Sequence, residues 1–198
     1  SDHALWDETD VVLITYGDSL REEGRAPLES LARFASRYLH ESVSTIHLLP
    51  FFPYSSDDGF SVMDYSTVNP ALGDWEHIAA LSADFRIMGD LVINHCSSRS
   101  RWFANYLKGQ DPGVGFFHEC HPALDTSAVV RPRTSPLLRE VQTSQGQRWV
   151  WCTFSHDQID LDFSNPEVLL EFLGIIRLYL QENIRWFRLD AVAFLWKR

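Results

Sequence analysis

A chain of 198 residues, 45% of them hydrophobic, is long enough to bury one core of ordinary domain size. Its net charge of −10 argues against nucleic acid or an anionic membrane as a partner. The longest apolar stretch, Val168 to Leu180, is broken by Glu171 and Arg177 and makes no transmembrane segment.

The N-terminus, Ser1 to Glu8, has neither the basic nor the apolar region of a secretory signal, and it does not begin with Met. Val11 to Tyr16 is a β-branched run ending at Gly17-Asp18 and predicts a buried strand. Pro27 to Glu41 sets Leu28, Leu31, Phe34, Tyr38 and Leu39 at helical spacing, with Pro27 in the first turn. Thr45 to Leu49 predicts a second strand, stopped by Pro50 and Pro53. A loop of Ser, Asp and Gly follows, then a helix from about Asp74 to Asp84, a third strand from Ile87 to His95 and a short helix from Arg99 to Leu107.

From Gly109 to about Gly146 the pattern loses its period, and Gly, Pro and Thr are frequent; a short strand at Trp149 to Phe154 closes this excursion. Asn165 to Glu182 is an amphipathic helix with Ser164 or Asn165 as N-cap and Pro166 in the first turn. Ile184 to Ala191 is the fourth main strand. Cys96, Cys120 and Cys152 are an odd number without metal-ligand spacing, which points to a reduced, cytoplasmic setting.

Strands alternating with helices make an α/β pattern, and four β/α units could begin a doubly wound sheet or a (β/α)8 barrel. No Gly-x-Gly-x-x-Gly follows the first strand, which weighs against a dinucleotide fold. A barrel takes about 250 residues, so this chain would be at most its first half.

Polar residues collect at the C-terminal ends of the strands: Asp57 and Asp58 after the second, Asn94 and His95 at the third, Arg188 and Asp190 at the fourth. In parallel α/β folds that edge is where sites assemble. Arg188 and Asp190 alternate with apolar residues and face one side of a run that otherwise reads as a buried strand. An Arg beside a carboxylate favours its ionised form, which a nucleophile at a glycosyl centre requires. The alternative is a structural ion pair, with Asp90 of the third strand as partner of Arg188.

Asp90-Leu91-Val92-Ile93-Asn94-His95 and Phe187-Arg188-Leu189-Asp190-Ala191 resemble the first and second conserved regions of glycoside hydrolase family 13, the α-amylase superfamily. Three further tracts narrow the resemblance to the sucrose phosphorylase subfamily: Leu49 to Phe60, the tract around Arg131-Pro132-Arg133, and Trp149 to Phe154 leading to Gln158-Ile159-Asp160. The motifs span nearly the whole chain in the family's order. The resemblance implies an α/β fold that is the first half, about four β/α units, of a (β/α)8 TIM barrel. Residues 1–108 would be its first part, 109–148 an irregular excursion resembling a B domain, and 149–198 its continuation.

The resemblance further implies that Asp190 is the catalytic nucleophile and that Arg188 orients it and keeps it ionised. Asp57 and His95 would hydrogen-bond glucose hydroxyls, Phe60 and Phe154 would supply apolar and stacking surface, and Gln158 would border the donor subsite. Arg133 matches a loop arginine implicated in phosphate handling, as suits its guanidinium fork; the alternative is a solvated loop charge. His47 and His156 are read as ordinary strand and loop residues. Val130 stands where sucrose phosphorylases often carry Tyr, and Val129 to Leu138 is more similar to glucosylglycerate phosphorylases, so the acceptor is open.

The implied activity is a retaining α-glucoside phosphorylase acting on sucrose or glucosylglycerate with inorganic phosphate, with no metal or organic cofactor. The family's acid/base Glu follows a fifth strand and its stabilising Asp a seventh; neither segment lies in these 198 residues. The chain alone is therefore expected to be inactive, with sheet edges that aggregate, dimerise or are covered by further chain. The competing readings are an α-glucosidase or transglucosidase of the same superfamily, and a non-catalytic fragment.

Overall fold

Parallel pairing of three short strands organises the first part of the chain, as seen in a computed structural model that describes residues Trp6 to Lys197. Ser1 to Leu5, part of the segment read above for a signal, and Arg198 lie outside the described residues. In chain order the elements are β1 (Val12–Thr15), α1 (Pro27–Tyr38), β2 (Thr45–Leu48), α2 (Trp75–Ser82), β3 (Arg86–Val92), β4 (His95–Ser97), α3 (Arg101–Lys108), β5 (Leu138–Thr143), β6 (Gly146–Trp151), β7 (Gln158–Asp160), α4 (Pro166–Gln181) and β8 (Ile184–Asp190). Single 3-10 turns occur at Asp57–Gly59 and Val192–Phe194. They form two compact units, one of residues up to Pro53 with Ser66–Leu91 and Ile175–Arg188, the other of Tyr54–Tyr65, Val92–Gly174 and Leu189 onward.

In the first unit β1 pairs in parallel with β2 from Val12 opposite Thr45 to Thr15 opposite Leu48, and β2 pairs in parallel with β3. The sheet order is β1-β2-β3-β8. Every residue of β2 is buried, as expected of an inner parallel strand covered on both faces. Leu28, Leu31 and Ala35 of α1 and Ile78 and Leu81 of α2 supply the apolar layer, and Phe52 stacks on Tyr179 at 5.2 Å between ring centroids. Asp74 caps α2 by accepting from the Glu76 and His77 amides, while the His77 ring accepts from the Asp74 amide.

Two expectations of burial fail here. Val12 and Ile14 of β1 are 42% and 61% exposed, and Leu189 of β8 is 50% exposed. Both strands stand at the ends of the sheet order with a single neighbour each, and an apolar run records strand tendency without recording who covers it.

In the second unit the chain bends at Asn94, so the third strand stops at Val92 instead of reaching His95. The next three residues form β4, antiparallel to β7, with His95 opposite Asp160 and Ser97 opposite Gln158. β7 is only three residues long and has no readable period. The strand expected at 149–154 lies at 146–151 instead, in a hairpin with β5. It ends there because the Thr153 amide donates to the Asp160 carboxylate and not to a ladder partner. β5 escapes a sequence reading since Val141 is its only buried residue. The Tyr65 hydroxyl lies 2.8 Å from the Val92 carbonyl and 2.7 Å from that of His95, and its ring stacks on Trp102.

Candidate active site

The loop 54–62 is closed on itself by the Tyr54–Val62 bridge and the Ser55 amide donating to the Ser61 carbonyl. At its tip Asp57 and Asp58 both adopt left-handed backbone, with φ of 57° and 51°. Asp tolerates that region better than most residues, its short polar side chain being able to bond locally. The turn leaves Asp57 exposed, with Oδ2 accepting from Gln158 Nε2 at 2.7 Å.

Gln158 is 2% exposed, and its other amide atom, Oε1, accepts from the Ser155 hydroxyl at 2.9 Å, which fixes the side chain's orientation. His95, 1% exposed, stands beside it. Its Nε2 donates to the Phe60 carbonyl at 3.0 Å, and its Nδ1 accepts from Asn94 Nδ2 at 3.1 Å. Burial brings the His95 pKa down to about 4, against the bond to Phe60 and the Asp57 charge, so the ring is neutral at pH 7. A neutral ring places no cation at this position.

Phe154 packs on His95 at 5.2 Å, and the Arg133 guanidinium carbon sits 5.5 Å from the centre of the Phe154 ring. Arg131 anchors that loop by donating to the Thr153 carbonyl at 3.0 Å, leaving Arg133 exposed. Asp57, Phe60, His95, Gln158, Phe154 and Arg133 thus form a continuous series of contacts within one unit, with a buried floor and a charged rim.

Asp190 ends β8, half-buried, and Ala191 after it turns left-handed at φ 51°. The 3-10 turn that follows brings Phe194 edge-on to Phe154 at 5.3 Å. Lys197 fastens the segment. Its ammonium lies 2.6 Å from the Phe194 carbonyl, 3.3 Å from Asn94 Oδ1 and 3.2 Å from Asp160 Oδ2, in a pair with side chains 6% and 0% exposed. Burial pushes the Asp160 carboxyl up, against the pull of Lys197 and of the bonds from Thr153. The sequence assigns Lys197 and Asp160 no role: Asp160 closes the Gln158-Ile159-Asp160 tract, and Lys197 follows an apolar run after Asp190.

Arg188, in the first unit, pairs with Asp90, Nη1 to Oδ1 at 2.6 Å, which is the alternative weighed from sequence. The other carboxylate oxygen is 2.8 Å from His47 Nε2, so the buried His47 side chain is a second partner of that carboxylate. His156 is an exposed loop residue bonded to the Pro136 carbonyl. Among the described residues no cluster of His, Cys, Asp or Glu could hold a metal ion.

The model of the α-amylase family, "Alpha amylase, catalytic domain", matches residues 37–198. The chain is 50% identical over 191 residues to a glucosylglycerate phosphorylase of Spirochaeta thermophila, covering 96% of this chain and 32% of that protein. It is 31% identical over 199 residues to a sucrose phosphorylase of Streptococcus mutans, covering 94% and 40%. The crystal structure of sucrose 6F-phosphate phosphorylase from Thermoanaerobacter thermosaccharolyticum superposes with a TM-score of 0.88 at 29% identity, covering all of this chain and 42% of that one. The chain spans about a third of the length of the curated relatives it matches best among these, and its α/β fold is the first part of a (β/α)8 barrel.

Proposed function

This chain belongs to the family of the α-amylase catalytic domain, and from that premise we propose that it is the nucleophile-bearing part of a retaining α-glucoside phosphorylase. The observation that carries the reading is the Arg133 guanidinium on the Phe154 ring, which itself packs on His95. It offers a cation for a phosphate dianion at the rim of a neutral, hydroxyl-binding floor. That the relatives named above are phosphorylases supports it.

In the proposed reaction an Asp190 carboxylate oxygen bonds to the anomeric carbon of a bound α-glucoside. The bond to the leaving oxygen breaks, and a carboxylic acid opposite Asp190 gives that oxygen its proton. A phosphate oxygen then attacks the same carbon, the bond to Asp190 breaks, and the phosphate's proton returns to the acid/base group. The product is α-glucose 1-phosphate with net retention. Arg188, two positions before the nucleophile, favours its ionised form. Asp57, His95 and Gln158 hold the glucose hydroxyls, and Phe60 and Phe154 supply the apolar surface. Sucrose or glucosylglycerate is the donor.

We read residues 109–148 as the excursion between barrel segments, and the protein as cytoplasmic, for which the three unpaired cysteines speak. Among the described residues no helix is long and apolar enough to cross a membrane. The exposed β1 and β8 support cover by further chain or a second copy.

The test is turnover of both donors by the full-length protein with and without phosphate. Glucose 1-phosphate should form only with phosphate, and the 198-residue chain alone should form none. Equal turnover without phosphate would overturn the reading in favour of an α-glucosidase or transglucosidase.

A further inference from the structure

One carboxylate that enters none of the roles above bonds to two segments that supply the donor pocket and precedes Gln158 in a third. Asp157 precedes Gln158 at the start of β7. Its Oδ2 accepts from the Ser55 and Ser56 hydroxyls, each at 2.5 Å, and its Oδ1 from the Ser98 hydroxyl at 2.6 Å. The Ser61 hydroxyl lies 2.9 Å from its carbonyl and 3.0 Å from Oδ2. The Ser98 amide donates to the same carbonyl at 2.9 Å. Ser55, Ser56 and Ser61 bracket the left-handed turn that presents Asp57 and Phe60, and Ser98 lies just beyond His95 and β4.

Two segments distant in sequence, 55–61 and Ser98, are therefore tied to one side chain of a third. An isolated loop of this length would not hold two consecutive non-glycine residues in left-handed backbone without external ties, since each such residue is intrinsically disfavoured. Partial burial opposes the charge of Asp157, and the serine hydroxyls more than offset it, holding the carboxyl below the usual range. It stays ionised, accepting from hydroxyls and facing no cation among these contacts.

We propose that Asp157 is a positioning residue for glucosyl transfer, clamping the 55–61 loop so that Asp57 and Phe60 meet the sugar in a fixed geometry. The inference rests on the reading of this pocket as the glucosyl-donor subsite. Asp157 itself touches no substrate; it acts through Asp57 and Phe60.

In the full-length protein, Asp157→Ala should raise KM for the α-glucoside about tenfold while kcat changes less than about threefold, the pattern of lost uniform binding. Asp157→Asn, which keeps one acceptor oxygen, should recover most of that loss. On an Asp57→Ala background Asp157→Ala should add clearly less than about tenfold, because the part of its effect that runs through Asp57 is already lost. Fully additive losses, or a fall in kcat with KM unchanged, would overturn the proposal. Amide hydrogen exchange of residues 55–61 should be faster in Asp157→Ala and in the milder Ser56→Ala, with sugar absent. Normal turnover with unaltered loop exchange in both variants would sink the clamp alone. A wild-type protein that turns over no α-glucoside would instead sink the functional reading.

Discussion

The donor pocket and the strand that ends in Asp190 serve the same proposed chemistry, yet they are held in opposite ways. Gln158 and His95 are almost fully buried, each polar atom is matched, and the ties are short bonds within one unit. In β8, by contrast, only Ile184 is buried, and Arg188 and Leu189 are exposed. A pocket of mutually satisfied polar groups can be complete within part of a fold, because its order is local. A strand at the end of a sheet depends on whatever covers it.

Three measurements can break or sharpen this contrast. The largest effect is expected at the exposed strand. Asp190→Asn in the full-length protein should lower kcat by more than about 10³-fold, since the amide cannot form the covalent glucosyl-enzyme. Residual turnover within tenfold of wild type would remove Asp190 from the nucleophile's role.

A smaller effect should come from the pocket floor through acid. The His95 pKa is depressed from 6.5 to about 4 in the folded chain. Between those values the unfolded state binds more protons, so stability rises with pH, is full above about 6.5 and drains as pH falls toward 4. The loss is on the order of 3 kcal/mol. Urea unfolding at pH 7 and pH 4.5 should show it in the wild type and show less in His95→Gln; equal slopes in both would refute the assignment.

The smallest effect is expected in β8 again. In the 198-residue chain Leu189→Ala should cost less than about 0.5 kcal/mol, against about 2–5 for Ile159→Ala, whose side chain is fully buried. A cost above 2 at Leu189 would mean that a neighbour covers it.

Much of the frame is legible in the sequence. Inner strands β2 and β3 and the helices show their periods, and Pro27 and Pro166 mark helix starts as expected. The exposure of β1 and β8 was not legible, because residue type carries strand tendency and leaves neighbours unspecified. Among site residues, the motifs named Asp57 and Gln158, but nothing in the sequence says that side chains 101 positions apart share a hydrogen bond. Asp157 and Lys197 went unread for a related reason. A single loop aspartate and a terminal lysine have no periodic signature, and their meaning lies wholly in partners brought by tertiary structure.

The two left-handed aspartates at the pocket's rim carry one more consequence. A loop that ordered itself only around a ligand would surrender conformational entropy at each binding event, about 1 kcal/mol or more for every residue fixed. Here Asp57 and Asp58 are already set in the folded chain. A ligand meeting this rim would find that ordering already done, and its affinity would fall only where a substitution frees the local ties of the turn.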